Sequence, residues 1–181
     1  MLVVVICEPI AAGKSTLSRS LAARLEAEQG ISASVVDLDL VYEMLDARPG
    51  PKDDERVWSD ARRIAGRLAG LLLHESRSVI AEGGDFATDA ALAEFENELP
   101  EDAEVRLVLL EVDLDTAFRR ASGDDSRRIS KDRAFLSAHR AEFGAEWSGR
   151  SVLQLDTAAA SPSETARAVV DWLRLGQYED A

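Results

Sequence analysis

The stretch ICEPIAAGKST, residues 6–16, decides how the rest of this sequence is interpreted. It follows the phosphate-binding pattern G-x-x-x-x-G-K-[ST] at Gly13, Lys14 and Ser15, but the first glycine is replaced by Glu8. In this pattern, backbone N–H groups form a concavity for phosphate, the lysine reaches the outer phosphates and the hydroxyl binds Mg²⁺. A side chain at the strand exit can turn away from the phosphates, so we predict a nucleotide site despite the glutamate. A Glu8 that faces the phosphates would instead weaken binding.

Short apolar, β-branched runs alternate with helical patterns along the whole chain. Continuous apolarity is typical of parallel strands covered on both faces, and the alternation predicts right-handed crossovers with helices on both sides of one sheet. We therefore predict an α/β fold of three layers with a five-stranded parallel sheet. Ligands in such folds bind beyond the carboxyl ends of the strands. The predicted strands are residues 2–7, 34–38, 78–81, 105–111 and 152–155.

Composition limits the number of domains and the kinds of partner. The chain has 181 residues, of which 46% are hydrophobic, so we predict a single domain over residues 1–181. Its net charge of -13 disfavours nucleic acid and anionic membranes as partners. Cys7 is the only cysteine, which excludes an internal disulfide and suits a cytoplasmic protein. We expect a monomer or a homodimer.

Two acids follow the second predicted strand, in the stretch VVDLDLVYEML. On an extended segment Asp37 and Asp39 would point to the same side, toward the ligand-binding edge of the sheet. In phosphoryl transfer, one acid can approach Mg²⁺ while another accepts the proton of the attacking hydroxyl. The alternative is that one of them only caps a helix that begins at Leu40.

The third strand ends in the stretch AEGGD, which places an acid and two glycines at the same edge. Paired glycines allow a ligand to approach the backbone closely, and Glu82 or Asp85 can contact a metal-bound water or a substrate hydroxyl. The alternative is a plain turn that joins the strand to a helix. The predicted substrate residues are Asp37, Asp39, Glu82, Gly83 and Gly84.

A polar, charged segment at residues 122–132 is flanked by arginines and is predicted to be a short lid. Arginines on a segment that closes over a triphosphate neutralise the charge of the transferred group. The alternative is a solvated face on which Asp124 and Asp125 pair with these arginines. The arginines concerned are Arg119, Arg120, Arg127, Arg128 and Arg133.

With these motifs in place, the chain resembles the small P-loop kinases of nucleoside-monophosphate-kinase architecture, among them shikimate kinase, gluconate kinase, adenylylsulfate kinase and chloramphenicol phosphotransferase. The resemblance rests on AAGKST, DLD, the glycine pair, the arginine-bearing lid and the closing stretch LDTAAASPSE. It implies a sheet order of 2-3-1-4-5, with ATP and Mg²⁺ as cofactors. Glu8 departs from the family pattern, and no arginine set that would grip shikimate is evident.

The same resemblance implies roles for individual residues. Asp39 would face the acceptor hydroxyl and Asp37 would lie nearer the Mg²⁺ bound by Ser15. Arg120 would flank the adenine, and Arg127 or Arg128 would be the lid arginine. The predicted catalytic residues are Lys14, Asp39, Arg127 and Arg128. The predicted nucleotide-binding residues are Ile10, Ala11, Ala12, Gly13, Lys14, Ser15, Thr16, Arg120, Asp156, Thr157 and Ala158.

The sequence thus predicts an ATP- and Mg²⁺-dependent kinase that transfers the γ-phosphoryl group to a hydroxyl of an unidentified small molecule. Two alternatives remain open. One is a phosphotransferase that acts on an antibiotic, and the other is a nucleotide-binding regulatory protein whose catalysis Glu8 has weakened.

Overall fold

The computed structural model describes residues 1–48, 52–75, 77–124 and 129–179. Five parallel strands form one sheet in the order β2-β3-β1-β4-β5, which confirms the predicted fold class and sheet order. Each end of each predicted strand differs from the observed one by at most one residue. The strands are β1 Leu2–Cys7, β2 Ala33–Asp37, β3 Ser78–Glu82, β4 Glu104–Glu111 and β5 Val152–Asp156.

Helices connect the strands and cover both faces of the sheet. The longest one, α3, has its N-terminal N–H groups capped by the side chain of Asp54, and α1 ends at Gly30 in the left-handed conformation (φ 66°) that favours glycine. At these two ends, a short polar side chain or a glycine allows the backbone groups of the terminal turn to form hydrogen bonds. The helices are α1 Lys14–Gln29, α2 Leu38–Leu45, α3 Glu55–His74, α4 Asp89–Glu96, α5 Leu114–Ser122, α6 Arg133–Glu142 and α7 Pro162–Glu179.

The central strand β1 separates two apolar layers. Its side chains alternate, so that Val4 and Ile6 join the layer formed with α1, α5 and α7, whereas Val3, Val5 and Cys7 join the layer formed with α2, α3 and α4. All five are almost completely buried. This two-sided burial explains why the strand sequence is continuously apolar.

Strand register brings the predicted motifs to one edge of the sheet. Ile6 in β1 is aligned with Glu82 in β3, and Glu82 is aligned with Asp37 in β2. The phosphate-loop motif, DLD and EGGD therefore begin side by side at the carboxyl ends of three neighbouring strands. No helix in the described ranges has the length and apolarity needed to cross a membrane.

One boundary near this edge differs from prediction. The helix after β2 begins at Leu38 rather than at Leu40, because the side chain of Asp37 already accepts a hydrogen bond from the backbone N–H of Asp39 (2.9 Å). Asp39 lies in the first turn of α2, so the expectation of two acids on one extended segment was wrong.

Candidate active site

The loop between β1 and α1 has the backbone that a phosphate cradle needs. Gly13 has a φ of 111° and Ala11 a φ of 70°, both in the left-handed region. For an alanine this conformation is strained. A Cβ at position 13 would meet nothing closer than the Arg120 guanidinium at 3.9 Å, so the backbone angle, rather than crowding within the chain, explains the glycine. Lys14 and Ser15 follow as the first residues of α1, where backbone N–H groups remain unpaired by the helix.

Glu8 turns into this loop and not away from it. Its side chain is buried, with 3% of the residue exposed, and one carboxylate oxygen, Oε2, accepts a hydrogen bond from the backbone N–H of Lys14 (2.7 Å). The other oxygen, Oε1, lies 3.7 Å from the Lys14 ammonium nitrogen. The carboxylate thus occupies the backbone N–H and the ammonium group of Lys14, both of which bind phosphate in this kind of loop. The expectation that Glu8 can turn outward is not met.

The Lys14 ammonium joins the phosphate loop to the acid pair. Its Nζ lies 3.1 Å from Oδ2 of Asp39, while Nζ of Lys52 lies 3.1 Å from Oδ1 of the same carboxylate. Burial opposes the charge on Lys14, but Asp39 and Glu8 raise the pKa of its ammonium above the usual value. Burial likewise opposes ionisation of Asp39, yet the two lysines lower the pKa of its carboxyl. Asp39 is therefore an ionised carboxylate held between two cations.

Asp37 has a structural role that the sequence left as an alternative. Its carboxylate caps α2, as described above, and it lies at the end of β2, opposite Glu82 in β3. It is close enough to raise the pKa of both Lys14 and Glu82 electrostatically. The predicted metal role of Asp37 remains a prediction.

Glu82 lies beneath the first turn of α1. The residue is 2% exposed, and its carboxylate accepts hydrogen bonds from the hydroxyls of Ser18 and Ser15. Burial raises the pKa of this carboxyl, and the two hydroxyls partly offset that effect. A serine hydroxyl beside a carboxylate is an oxygen donor set that suits Mg²⁺, which keeps several waters and takes the rest of its ligands from phosphates. No cluster of three or more Asp, Glu, His or Cys side chains that could hold a metal occurs in the described part of the chain.

The glycine pair has a packing explanation. A Cβ at position 83 would lie 2.8 Å from the Cβ of Leu38, and one at position 84 would lie 3.0 Å from the carbonyl oxygen of Glu8. Both glycines therefore let the end of β3 approach α2 and the start of the phosphate loop. A contact between these glycines and a substrate remains a prediction.

A second region of the site lies on the other side of the loop, between α1, α5 and the segment after β5. Here a cleft of about 330 Å³ is lined by the loop, by Arg120 and by Thr157. The Arg120 guanidinium donates to the carbonyl of Ala12 (3.1 Å) and to the hydroxyl of Thr157 (3.0 Å). The Thr157 hydroxyl in turn donates to the same Ala12 carbonyl (2.7 Å). The cleft thus adjoins the loop at the place where the resemblance implies the base.

Not every predicted nucleotide residue lines this cleft. Ala11, Ala12, Gly13, Thr16, Arg120 and Thr157 do, but Ile10, Lys14, Ser15, Asp156 and Ala158 do not. The Asp156 carboxylate instead accepts the N–H of Ala158 (2.8 Å) in an exposed turn. The predicted lid arginines, Arg127 and Arg128, lie outside the described residues.

Sequence reasoning missed two cations on the DLD side of the site. Lys52 belongs to the connection between α2 and α3, and its ammonium also lies 3.0 Å from Glu43. Arg62 on α3 is 3% exposed and pairs with Glu55, Asp85 and Glu94. The signal for Arg62 was its place on the apolar face of a long helix, where an arginine needs buried partners. Nothing in the sequence pattern distinguished Lys52.

The sheet order and the loop define the class of the molecule as a P-loop fold with a five-stranded parallel sheet. A family model described as an AAA domain matches residues 4–147, so the chain belongs to that family. No curated protein resembles the chain significantly in sequence.

Solved structures share the fold over nearly the whole chain. The Mycobacterium tuberculosis APS kinase in complex with AMPPNP and APS has a TM-score of 0.73 and 22% identity, covering 95% of this chain and 96% of that one. A sugar kinase from Janibacter sp. has a TM-score of 0.69 and 17% identity, with coverage of 96% and 94%. The Deinococcus radiodurans tunicamycin resistance protein has a TM-score of 0.67 and 14% identity, and 94% of each chain is covered. At these identities the likeness concerns the fold.

Proposed function

We propose that this protein is an ATP- and Mg²⁺-dependent kinase that transfers the γ-phosphoryl group to a hydroxyl of a small molecule. The observation that carries the proposal is the 3.1 Å contact between the Lys14 ammonium and the Asp39 carboxylate. It brings a phosphate-binding lysine and an ionised acid together at the carboxyl edge of the sheet, with a cleft of about 330 Å³ on the opposite side of the loop. Kinases among the structural neighbours support the same reading.

In this mechanism the N–H groups of the loop and the Lys14 ammonium bind the phosphates. The Asp39 carboxylate orients the acceptor hydroxyl and takes its proton as the oxygen attacks the γ-phosphorus, so that ADP leaves. Lys14 exchanges its contact with Asp39 for one with the phosphates, while Lys52 stays on Asp39 and keeps the carboxylate in place. Ser15 and Glu82 would hold Mg²⁺, which neutralises phosphate charge when it is bound.

The test is turnover of MgATP with a panel of hydroxyl compounds, with the phosphorylated product detected by its mass. We expect Lys14→Ala and Asp39→Asn each to lower kcat by roughly 10²-fold or more while the far-UV CD spectrum is unchanged. Arg167→Ala is the control, because it removes a cation from an exposed ion pair with Asp171 on α7. Full activity in Lys14→Ala would remove the loop from the mechanism.

A second candidate function is a nucleotide-binding regulator with weakened catalysis. The observation that favours it is the Glu8 carboxylate on the Lys14 N–H, because an acid in that place competes with phosphate. Calorimetry with MgATP, combined with the turnover assay above, separates the two functions. Nucleotide binding without transfer to any acceptor favours the regulator, and product formation excludes it.

A further inference from the structure

The guanidinium of Arg120 is anchored along one edge by a single residue, Thr157. Its Nη1 donates to the Thr157 hydroxyl oxygen (3.0 Å), and its Nη2 donates to the Thr157 carbonyl oxygen (2.5 Å). The two terminal nitrogens of the arginine thus bind two oxygens of the same residue. A two-point contact of this kind fixes the orientation of the guanidinium plane as well as its position.

The same threonine joins this arginine to the phosphate loop. Its hydroxyl donates to the Ala12 carbonyl (2.7 Å), and Nη1 of Arg120 donates to that carbonyl as well (3.1 Å). The backbone of Thr157 is held in turn, because its N–H donates to the carbonyl of Glu111 at the end of β4 (2.8 Å). Thr157 therefore connects the phosphate loop, α5 and the end of β4.

Thr157 has little left to offer to a ligand directly. The residue is 6% exposed, and its hydroxyl both accepts from Arg120 and donates to Ala12. Arg120 differs, since it is exposed although both of its terminal nitrogens are hydrogen-bonded. The edge of the guanidinium is thus occupied, and its face is the part that remains for a ligand in the cleft.

A guanidinium held in this way suits a flat ring. Arginine stacks on aromatic rings and nucleobases through its planar face, and a side chain that is already held in place loses less conformational freedom when it does so. The cleft that Arg120 lines is also lined by Leu17 and Pro162. It therefore combines apolar surface with an anchored plane, which are the surroundings that a nucleobase needs.

We propose that Thr157 is a positioning residue for the nucleotide base, which acts by holding the Arg120 guanidinium as a stacking surface and not by binding the base itself. This role rests on the nucleotide-binding part of the proposed function and is independent of the acceptor and of phosphoryl transfer. It differs from the direct contact with the base that the sequence resemblance implies for Thr157.

The test compares Thr157→Val with Thr157→Ser by calorimetry with MgADP. Valine keeps the size and the branched Cβ but removes the hydroxyl that anchors Nη1 of Arg120, whereas serine keeps the hydroxyl. We expect Thr157→Val to bind MgADP about tenfold more weakly, as the loss of a hydrogen bond to a charged group implies, and Thr157→Ser to lose much less. Magnesium tripolyphosphate has no base, so it should bind the natural protein and both variants equally well.

Thr116→Val is the matched control. Thr116 is a buried threonine on α5 whose hydroxyl accepts from the neighbouring arginine, Arg119 (2.7 Å), but it does not line the cleft. Its replacement should leave MgADP binding unchanged.

The arginine itself supplies a second test. Lysine lacks the planar fork, so Arg120→Lys alone should weaken MgADP binding and spare magnesium tripolyphosphate. If Thr157 acts through Arg120, adding Thr157→Val to Arg120→Lys should lower the affinity for MgADP by less than about twofold, because the two losses are not additive.

Several outcomes would overturn this role. They are unchanged MgADP binding by Thr157→Val, an equal loss in Thr157→Ser or Thr116→Val, an equal loss for magnesium tripolyphosphate, and an undiminished loss in the Arg120→Lys background. A purely structural role of Thr157 would lower the free energy of unfolding without changing the MgADP affinity of the folded protein. A natural protein that binds no MgADP would instead refute the nucleotide function itself.

Discussion

At the scale of single residues, Glu8 is the position where this loop departs from the phosphate-binding pattern. Its carboxylate contacts the backbone N–H and the ammonium of Lys14, which would otherwise bind phosphate. Nucleotide must displace a buried carboxylate from Lys14 before its phosphates can bind. We expect Glu8→Gly to tighten MgATP binding about tenfold or more, because charge-assisted hydrogen bonds to a buried acid are strong competitors. The measurement is the Kd by calorimetry.

Glu8→Gln serves as the matched variant, since it keeps the side-chain size and one acceptor oxygen but removes the charge. It should give an intermediate gain in affinity. If both variants bind MgATP as the natural protein does, Glu8 moves aside at no cost and competition with phosphate is refuted.

The sequence could identify the phosphate loop and Asp39 because their signals are local. Gly13 and Lys14 lie at fixed spacing, and the strand before them predicts where they emerge. Arg62 and Lys52 could not be assigned in this way, because their partners come from elements far along the chain. The direction of the Glu8 side chain depends on the loop backbone, which the pattern does not specify.

At the scale of elements, the placement of α3 depends on two glycines that face α4 and the segment that directly follows it. A Cβ at Gly66 would overlap the carbonyl oxygen of Phe95 and lie 2.9 Å from the Cβ of Glu98. We expect Gly66→Ala to destabilise the protein by about 1–3 kcal/mol, since overpacking against backbone outweighs the gain of roughly 1 kcal/mol in helix propensity. The measurement is the free energy of unfolding in urea.

Gly70→Ala is the control one turn further along the same helix. There a Cβ would lie 3.3 Å from the carbonyl oxygen of Glu98, which needs only a small adjustment. Its change in stability should be near zero or favourable. A Gly66→Ala protein as stable as Gly70→Ala would show that α3 can shift freely. The packing of α3 would then not fix the positions of Trp58 and Arg62, which lie on this helix.

Most elements were predictable because burial sets their sequence pattern directly. The five strands are continuous apolar runs, and their bounds agree closely with the structure. The predicted start of α2 was two residues late because Asp37 is both the last residue of β2 and the N-cap of α2. The hydrogen bond from the Asp39 N–H to the Asp37 side chain shows this capping, and the sequence pattern does not.

At the scale of the whole molecule, one sheet with an apolar layer on each face predicts that residues 1–181 unfold as one cooperative unit. Trp172 reports on the layer that contains α1 and α7, whereas Trp58 reports on the opposite layer. We expect urea transitions followed by each tryptophan, in variants in which the other two are replaced by phenylalanine, to coincide with the transition seen by far-UV CD. MgATP at 100 times its Kd should stabilise the protein by about 2.7 kcal/mol and move both tryptophan transitions together. Separate midpoints for Trp58 and Trp172, or a shift by MgATP of only one of them, would mean that the two layers are not one folding unit and that the single-domain prediction is wrong.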